Sequence, residues 1–143
     1  MISMFDVEVI KNNLEIIYNQ IPDFECKHCH ECCGPIIWFK IEEILMNDYM
    51  KKHKIENVKW TNEEFQKNDM KCPFLKNDRC IIYEVRPIVC RLQGNTPELP
   101  CRFNNNSLIS EESINKIKKD FYELNKIIDG GNIFYSTRKL TKI

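Results

Sequence analysis

Four of the eight cysteines fall within one stretch, Cys26-Lys27-His28-Cys29-His30-Glu31-Cys32-Cys33. The other four, Cys72, Cys80, Cys90 and Cys101, follow with seven, nine and ten residues between successive members. Thiolates crowded into a loop-length segment are what a soft metal ion or an iron–sulfur cluster requires, because several sulfurs must converge on one centre from a short backbone. The spacing Cys26-x2-Cys29-x2-Cys32 is the one that wraps bacterial-type clusters: each two-residue gap lets backbone amides turn inward while successive sulfurs reach neighbouring irons. A fourth ligand is then remote in sequence. Two groups of four point to chelation shared between distant segments, with all eight cysteines as candidate ligands.

Cys33 follows Cys32 directly. Adjacent side chains generally diverge, so the pair is expected to serve two centres, or one of them to be a buried spare thiol. In the second group, Cys72 precedes Pro73, Cys101 follows Pro100 and Cys90 precedes Arg91. Proline stiffens a ligand's backbone, and arginine offsets the net charge of about −2 that four thiolates leave on zinc or on an oxidised four-iron cluster. Arg86 and Arg91 are therefore placed around the cofactor, the competing reading of Arg91 being a solvated surface group. His28 and His30 lie inside the first loop, but eight thiols make neither necessary as a ligand; donation of a hydrogen bond to a cluster sulfur suits them better. Tyr83 and Trp38 read as core aromatics, and His53 as exposed.

The elements that position these residues follow from periodicity. Over 6–21, Val7, Ile10, Leu14, Ile17 and Ile21 recur at helical intervals, with Asp6 as N-cap and Pro22 as terminator. Ile36-Ile37-Trp38-Phe39 reads as a short buried extended element, leading into a second amphipathic helix over 41–53 with Ile41, Ile44, Leu45 and Tyr49 inward. Thr61 to Glu64 matches a capping box for a brief helix over 62–68. Cys72-Pro-Phe-Leu75 and Cys80-Ile-Ile-Tyr83, separated by the polar residues 76–79, predict a small hairpin with a cysteine at the start of each strand. Pro87 opens a short helical segment that turns Cys90 toward this hairpin. Residues 92–109 form a loop tied down by Cys101. A long helix over 111–128, capped by Ser110 and stopped at Gly130-Gly131, buries Ile114, Ile117, Phe121, Leu124 and Ile128. Residues 132–143 fit a strand, a helix turn or disorder equally.

Composition narrows the function class. A chain of 143 residues is one domain by length. The metal-chelating core is expected over about 22–103, with the terminal helices packing on it. The 21 acidic and 21 basic residues balance, which excludes general attraction to nucleic acid or to an anionic membrane. The sequence shows no apolar run of membrane-spanning length and no leader-like start, so the protein is expected to be soluble and cytoplasmic. A reducing compartment argues against a disulfide framework. Alanine is absent, which lowers helix propensity throughout. No Gly-rich phosphate loop, Ser-His-Asp arrangement or paired-carboxylate site stands out. The fold expected is mainly α with a small β-hairpin, a cysteine-rich, metal-stapled single domain.

The order Cys26-x2-Cys29-x2-Cys32-Cys33, then Cys72-Pro73-Phe74-Leu75, Cys80-Ile81-Ile82-Tyr83 and Arg86-Pro87-x2-Cys90-Arg91, resembles the CxxCxxCC family, also called the YkgJ-like zinc- or iron-chelating domain. The resemblance spans about residues 26 to 91, and Cys101 lies beyond its strongest part. It implies a metal-chelating domain. The same cysteine pattern is similar to that of flagellin lysine N-methylases, which carry it in longer chains; this sequence is expected to lack that extra length, so the likeness implies a cofactor and carries over no methylase activity. Two functions are weighed. One is an iron–sulfur protein, with a 4Fe-4S cluster serving redox, sensing or cluster-assisted chemistry. The other is a structural Zn2+ module that mediates protein interaction without catalysis. The partner expected in either case is the metal ion or cluster itself, with a protein partner left unspecified.

Overall fold

The computed structural model describes residues 4–23, 26–27, 29–34, 36–101, 109–129 and 133–135, with 4–6, 127–129 and 133–135 described by backbone alone. Helix α1 spans Met4–Tyr18, so Asp6 lies inside the first turns and is not the N-cap. The helix ends where Pro22 begins to act: the residue before a proline is pushed out of the helical region. Gln20 and Ile21 close the end with shorter-range bonds to the carbonyls of Ile17 and Tyr18. The stripe Ile10, Leu14, Ile17 and Ile21 is buried.

Strand β1, Ile37–Phe39, feeds directly into α2, Lys40–Lys52. Phe39 holds the N-cap position with an extended backbone, and Glu42 Oε1 accepts the Phe39 N–H at 3.1 Å. Phenylalanine brings no side-chain acceptor to an N-cap, so the carboxylate carries the junction. Helix α3, Asn62–Lys67, has the expected capping box: Thr61 Oγ1 accepts from the Glu64 N–H and Glu64 Oε1 from the Thr61 N–H. Strands β2, Leu75–Lys76, and β3, Arg79–Cys80, form the expected hairpin, paired Leu75 with Cys80 and Lys76 with Arg79. Asn77 and Asp78 both sit at positive φ, 49° and 62°, which is how a two-residue loop follows the strand twist. The cysteines are placed differently from the expectation. Cys72 lies one turn before β2 and Cys80 is the last residue of β3, because the hairpin is only two residues deep.

A 3₁₀ turn at Tyr83–Val85 precedes α4, Ile88–Leu92, which Pro87 opens. Helix α5, Glu111–Asp129, is capped by Ser110, whose Oγ accepts the Ser113 N–H at 3.2 Å. Beyond it, β4, Ile133–Tyr135, pairs antiparallel with β1, Trp38 opposite Phe134. Gly130, Gly131 and residues 136–143 lie outside the described residues, as does the Asn104-Asn105-Asn106 tract. Among the described residues the architecture is thus about half helical, with two small antiparallel two-stranded sheets. No helix among them is long and apolar enough to cross a membrane.

Helices α1, α2 and α5 pack on one another, and their shared core includes Leu14, Ile41, Met46, Ile117 and Phe121. Phe39 stacks edge-on against Phe121 with ring centroids 4.8 Å apart, and on Tyr122 at 5.4 Å. Trp38 is buried as expected, and its Nε1 donates to Glu43 Oε2 at 3.1 Å; Lys59 Nζ reaches the other oxygen at 3.2 Å. His53 is exposed and stacks on Tyr49. The cysteine-bearing segments are held against one side of this three-helix core by Phe74, Ile82, Val85 and Ile88.

Candidate metal centre

The first cysteine loop leaves α1 at Pro22 and must return to β1 by Ile37. Its second half is fastened to the turn before β2. Lys71 Nζ donates to the His30 carbonyl at 2.9 Å, and the Cys33 N–H donates to that same carbonyl at 3.2 Å. His30 itself has φ 62°, a left-handed backbone that reverses the loop between Cys29 and Cys32. Gly34 lies so close to the same turn that an added Cβ would stand 3.0 Å from the Met70 carbonyl oxygen.

The second group is placed by turns as well. The Leu75 N–H donates to the Cys72 carbonyl, and Cys80 sits opposite Leu75 across the hairpin. On α4, the Cys90 and Arg91 N–H groups both donate to the Pro87 carbonyl. Asn95 is buried at 1 % exposure and ties three segments: its Nδ2 donates to the Pro22 and Arg91 carbonyls, each at 2.9 Å, and its backbone N–H donates to Leu92. Gln93 Nε2 holds the Pro100 carbonyl beside Cys101.

The result is a single cavity of about 150 Å³ whose wall contains all eight cysteines. Every one is a free thiol. Cys72 is buried, Cys26, Cys33, Cys80, Cys90 and Cys101 are partly buried, and Cys29 and Cys32 are exposed. Among the described residues no group of three or more His, Cys, Asp or Glu side chains is already arranged to hold a metal ion. The thiols share one cavity without forming a finished coordination sphere. Their number and softness fit a thiophilic ion or an iron–sulfur cluster, since thiolates select such centres over hard cations.

Cys32 and Cys33 do not diverge. The Cys32 S–H donates to the Cys33 sulfur, which raises the Cys32 thiol and lowers that of Cys33. Cys33 lines the cavity with Cys72, Cys80 and Cys90, whose charges work against its ionisation. Both residues line the same cavity, and Cys32 is exposed. Burial pushes the Cys72 thiol up to about 11, opposed by the Phe74 N–H. Burial likewise raises Cys80, against the Ile82 N–H and Arg86. Cys90 lies well above the usual thiol range through burial, with Cys72 and Cys80 adding to it.

Arg86 and Arg91 both line the cavity. Arg86 lies over the Tyr83 ring at 3.9 Å, donates to the Tyr83 carbonyl and pairs with Asp23 at 3.1 Å. Arg91 stacks at 3.9 Å over the Tyr18 ring and donates to the Arg86 and Glu84 carbonyls. Arg91 is therefore built into the wall, not a solvated surface group. Tyr83, expected in the core, is 37 % exposed at the cavity mouth because it caps Arg86. His30 lines the cavity, its Nε2 3.5 Å from Asp78 Oδ1, and His28 lies outside the described residues.

Sequence reasoning missed Tyr18, Glu42 and Asn95. Glu42 is fully buried and accepts from the Tyr18 hydroxyl at 2.7 Å and from the N–H groups of Phe39 and Ile88, so it joins α1, α2 and α4. Burial raises its carboxyl to about 7 against the pull of these three donors. Burial, followed by the Glu42 charge, also raises Tyr18 well above the ordinary phenol. A signal existed: Glu42 falls on the arc Ile41, Leu45, Met46, Met50 that α2 buries. Asn95 carries none in a loop without periodicity.

A model of the CxxCxxCC family, described as "Putative zinc- or iron-chelating domain", matches residues 25–124. That match reaches past Cys101 and takes in most of α5. No curated protein and no solved structure matches the chain.

Proposed function

The chain belongs to the CxxCxxCC family of zinc- or iron-chelating domains, and on that premise we propose that its cavity holds an iron–sulfur cluster, with the eight cysteines as candidate ligands, four of which one 4Fe-4S centre takes. The observation that carries this reading is the gathering of all eight unbridged thiols on one cavity wall. The cluster, a 4Fe-4S centre by the spacing of the first loop, supplies one-electron chemistry for redox, sensing or cluster-assisted reactions. Cys26, Cys29, Cys32 and Cys33 offer sulfurs from the loop, and Cys72, Cys80, Cys90 and Cys101 from the hairpin side. Arg86 and Arg91 oppose the negative charge of the thiolates while their hydrogen bonds keep the guanidiniums in place. The apolar part of the wall, with Ile36, Leu75, Ile82 and Val89, limits water around the sulfurs.

The family description favours a second reading equally naturally, a structural zinc module that mediates protein interaction. Four thiolates suffice for one tetrahedral zinc, so eight permit two ions or one ion with spare thiols. Anaerobic purification with elemental analysis separates the two. A brown protein absorbing near ~400 nm, with iron and acid-labile sulfide, is the expected result. A colourless protein with stoichiometric zinc replaces it with the second reading, and wild-type protein holding neither metal overturns both.

A further inference from the structure

Arg86 and Arg91 both reach the wall of the cysteine cavity, and they differ in what becomes of their charge. Arg86 pairs with the Asp23 carboxylate at 3.1 Å, which offsets it locally. Among the described residues Arg91 bonds to carbonyls instead, that of Arg86 at 2.9 Å and that of Glu84 at 3.0 Å, and lays its guanidinium on the Tyr18 ring at 3.9 Å. Its positive charge is thus held in place by neutral groups. The Tyr18 ring is itself fixed: it is 6 % exposed, and its hydroxyl donates to Glu42 Oε2 at 2.7 Å. The same oxygen accepts the Ile88 N–H, at the start of the helix that carries Arg91. Tyr18, Glu42, Ile88 and Arg91 therefore close a circuit through α1, α2 and α4, and of these four Arg91 lines the cavity. Asn95 secures the circuit from outside, its Nδ2 donating to the carbonyls of Arg91 and of Pro22, each at 2.9 Å.

We propose that Tyr18 is a positioning residue for the metal centre: its ring holds the Arg91 guanidinium against the cavity, where the fixed cation favours the gathering of thiolates around a metal. The inference rests on the metal-chelating reading and adds to it a residue of α1 that precedes the family match over residues 25–124. A guanidinium free to swing into water would contribute little, because water and salt screen its charge. Laid on a buried ring, with two of its N–H groups on carbonyls, it keeps both its distance and its orientation to the sulfurs, and the ring face attracts the cation without neutralising it. The Tyr18 hydroxyl has a separate task, since it bonds Glu42 and not Arg91. Ring and hydroxyl therefore separate by substitution, the ring acting on metal affinity and the hydroxyl on stability.

The test measures the Cd2+ affinity of full-length, reduced, metal-free protein by competition with a chelator, alongside urea unfolding of each variant. Tyr18→Leu, which removes the ring, should bind Cd2+ about tenfold more weakly than wild type, and so should Arg91→Gln. The double variant should bind no more weakly than Arg91→Gln alone, because Tyr18 acts through Arg91. Tyr18→Phe keeps the ring and should bind Cd2+ as wild type does, although its urea midpoint falls with the loss of the bond to Glu42. A Tyr18 that only packs the core gives a different pattern: Tyr18→Phe loses affinity in step with stability, or the Tyr18→Leu loss persists undiminished in the Arg91→Gln background. Either result overturns the positioning role. Should Tyr18→Leu misfold, Arg91→Lys serves in its place, since an ammonium keeps the charge but cannot lie flat on the ring and fork to both carbonyls. It should lose nearly as much affinity as Arg91→Gln, and wild-type affinity in Arg91→Lys overturns the proposal. Unchanged affinity in Tyr18→Leu overturns the positioning role and leaves chelation intact, whereas wild-type protein that takes up no Cd2+ overturns both.

Discussion

Glu42 carries an ionisable group into the junction of α1, α2 and α4, and the consequences are measurable. Its folded carboxyl titrates near about 7, above the ordinary 4.5, because burial outweighs three hydrogen-bond donors. The protonated form therefore favours the folded state: this contribution is fully present below about pH 4.5 and is lost as pH rises through about 7. Its size is up to roughly 3 kcal/mol from the shift alone. In urea unfolding of the reduced, metal-free protein, Glu42→Gln should flatten the fall in stability across this window. An unchanged slope would assign the pH dependence elsewhere. Glu42→Ala should lose about 2–3 kcal/mol at the acid end of that range, where the carboxyl is protonated, and less as pH rises through about 7, since the Tyr18 hydroxyl and the Phe39 and Ile88 N–H groups are left without an acceptor. The thiols give a second prediction at this scale. Cys72, Cys80 and Cys90 are all raised by burial, so at neutral pH each binds metal by releasing a proton. Zinc or cadmium affinity should rise with pH by about tenfold per unit for every proton released. Competition titrations showing a pH-independent affinity would remove these thiols from the ligand set.

At the scale of elements, the loop that carries Cys26 to Cys33 depends on its return to the turn before β2. Gly34 permits this approach: a methyl group there would press on the Met70 carbonyl at 3.0 Å. Gly34→Ala should lower stability by about 1 kcal/mol and weaken metal binding with it, because the loop end must shift away from Lys71. Equilibrium unfolding and metal competition on the same variant check both parts. A fully stable Gly34→Ala protein with wild-type affinity would show that the turn gives way without disturbing the thiols. The hairpin works in the same manner. It pairs only two residues per strand, and Asn77 and Asp78 in left-handed conformations hold it shut.

For the whole molecule, the cysteine-bearing half has few regular elements of its own. Short helix α4, the two-residue strands and the first loop are fastened to the three-helix core through Phe74, Ile82, Val85 and Ile88. A metal bound across both cysteine groups would cross-link the first loop to the hairpin and α4. Removing it with a chelator, or through Cys80→Ser, should lower the melting temperature of the reduced protein by several degrees and increase proteolysis of the loop and hairpin first. Metal loss with an unchanged melting temperature would mean that the core alone sets stability.

The helices were legible because their apolar residues recur at 3 and 4 in α1, α2 and α5, and Thr61 and Ser110 mark helix starts by accepting the Glu64 and Ser113 N–H groups. The hairpin and the Pro87 helix were legible from turn chemistry. Cysteine spacing by itself determined the class of chemistry, since thiol identity and number do not depend on how the chain folds. What it could not determine is which sulfurs meet. That Arg91 lies on Tyr18 and that the buried Glu42 joins Tyr18 to Ile88 depend on how α1, α2 and α4 converge. Those contacts join residues tens of positions apart, and only the tertiary structure brings them to one cavity, because long-range packing and not local propensity sets their distances.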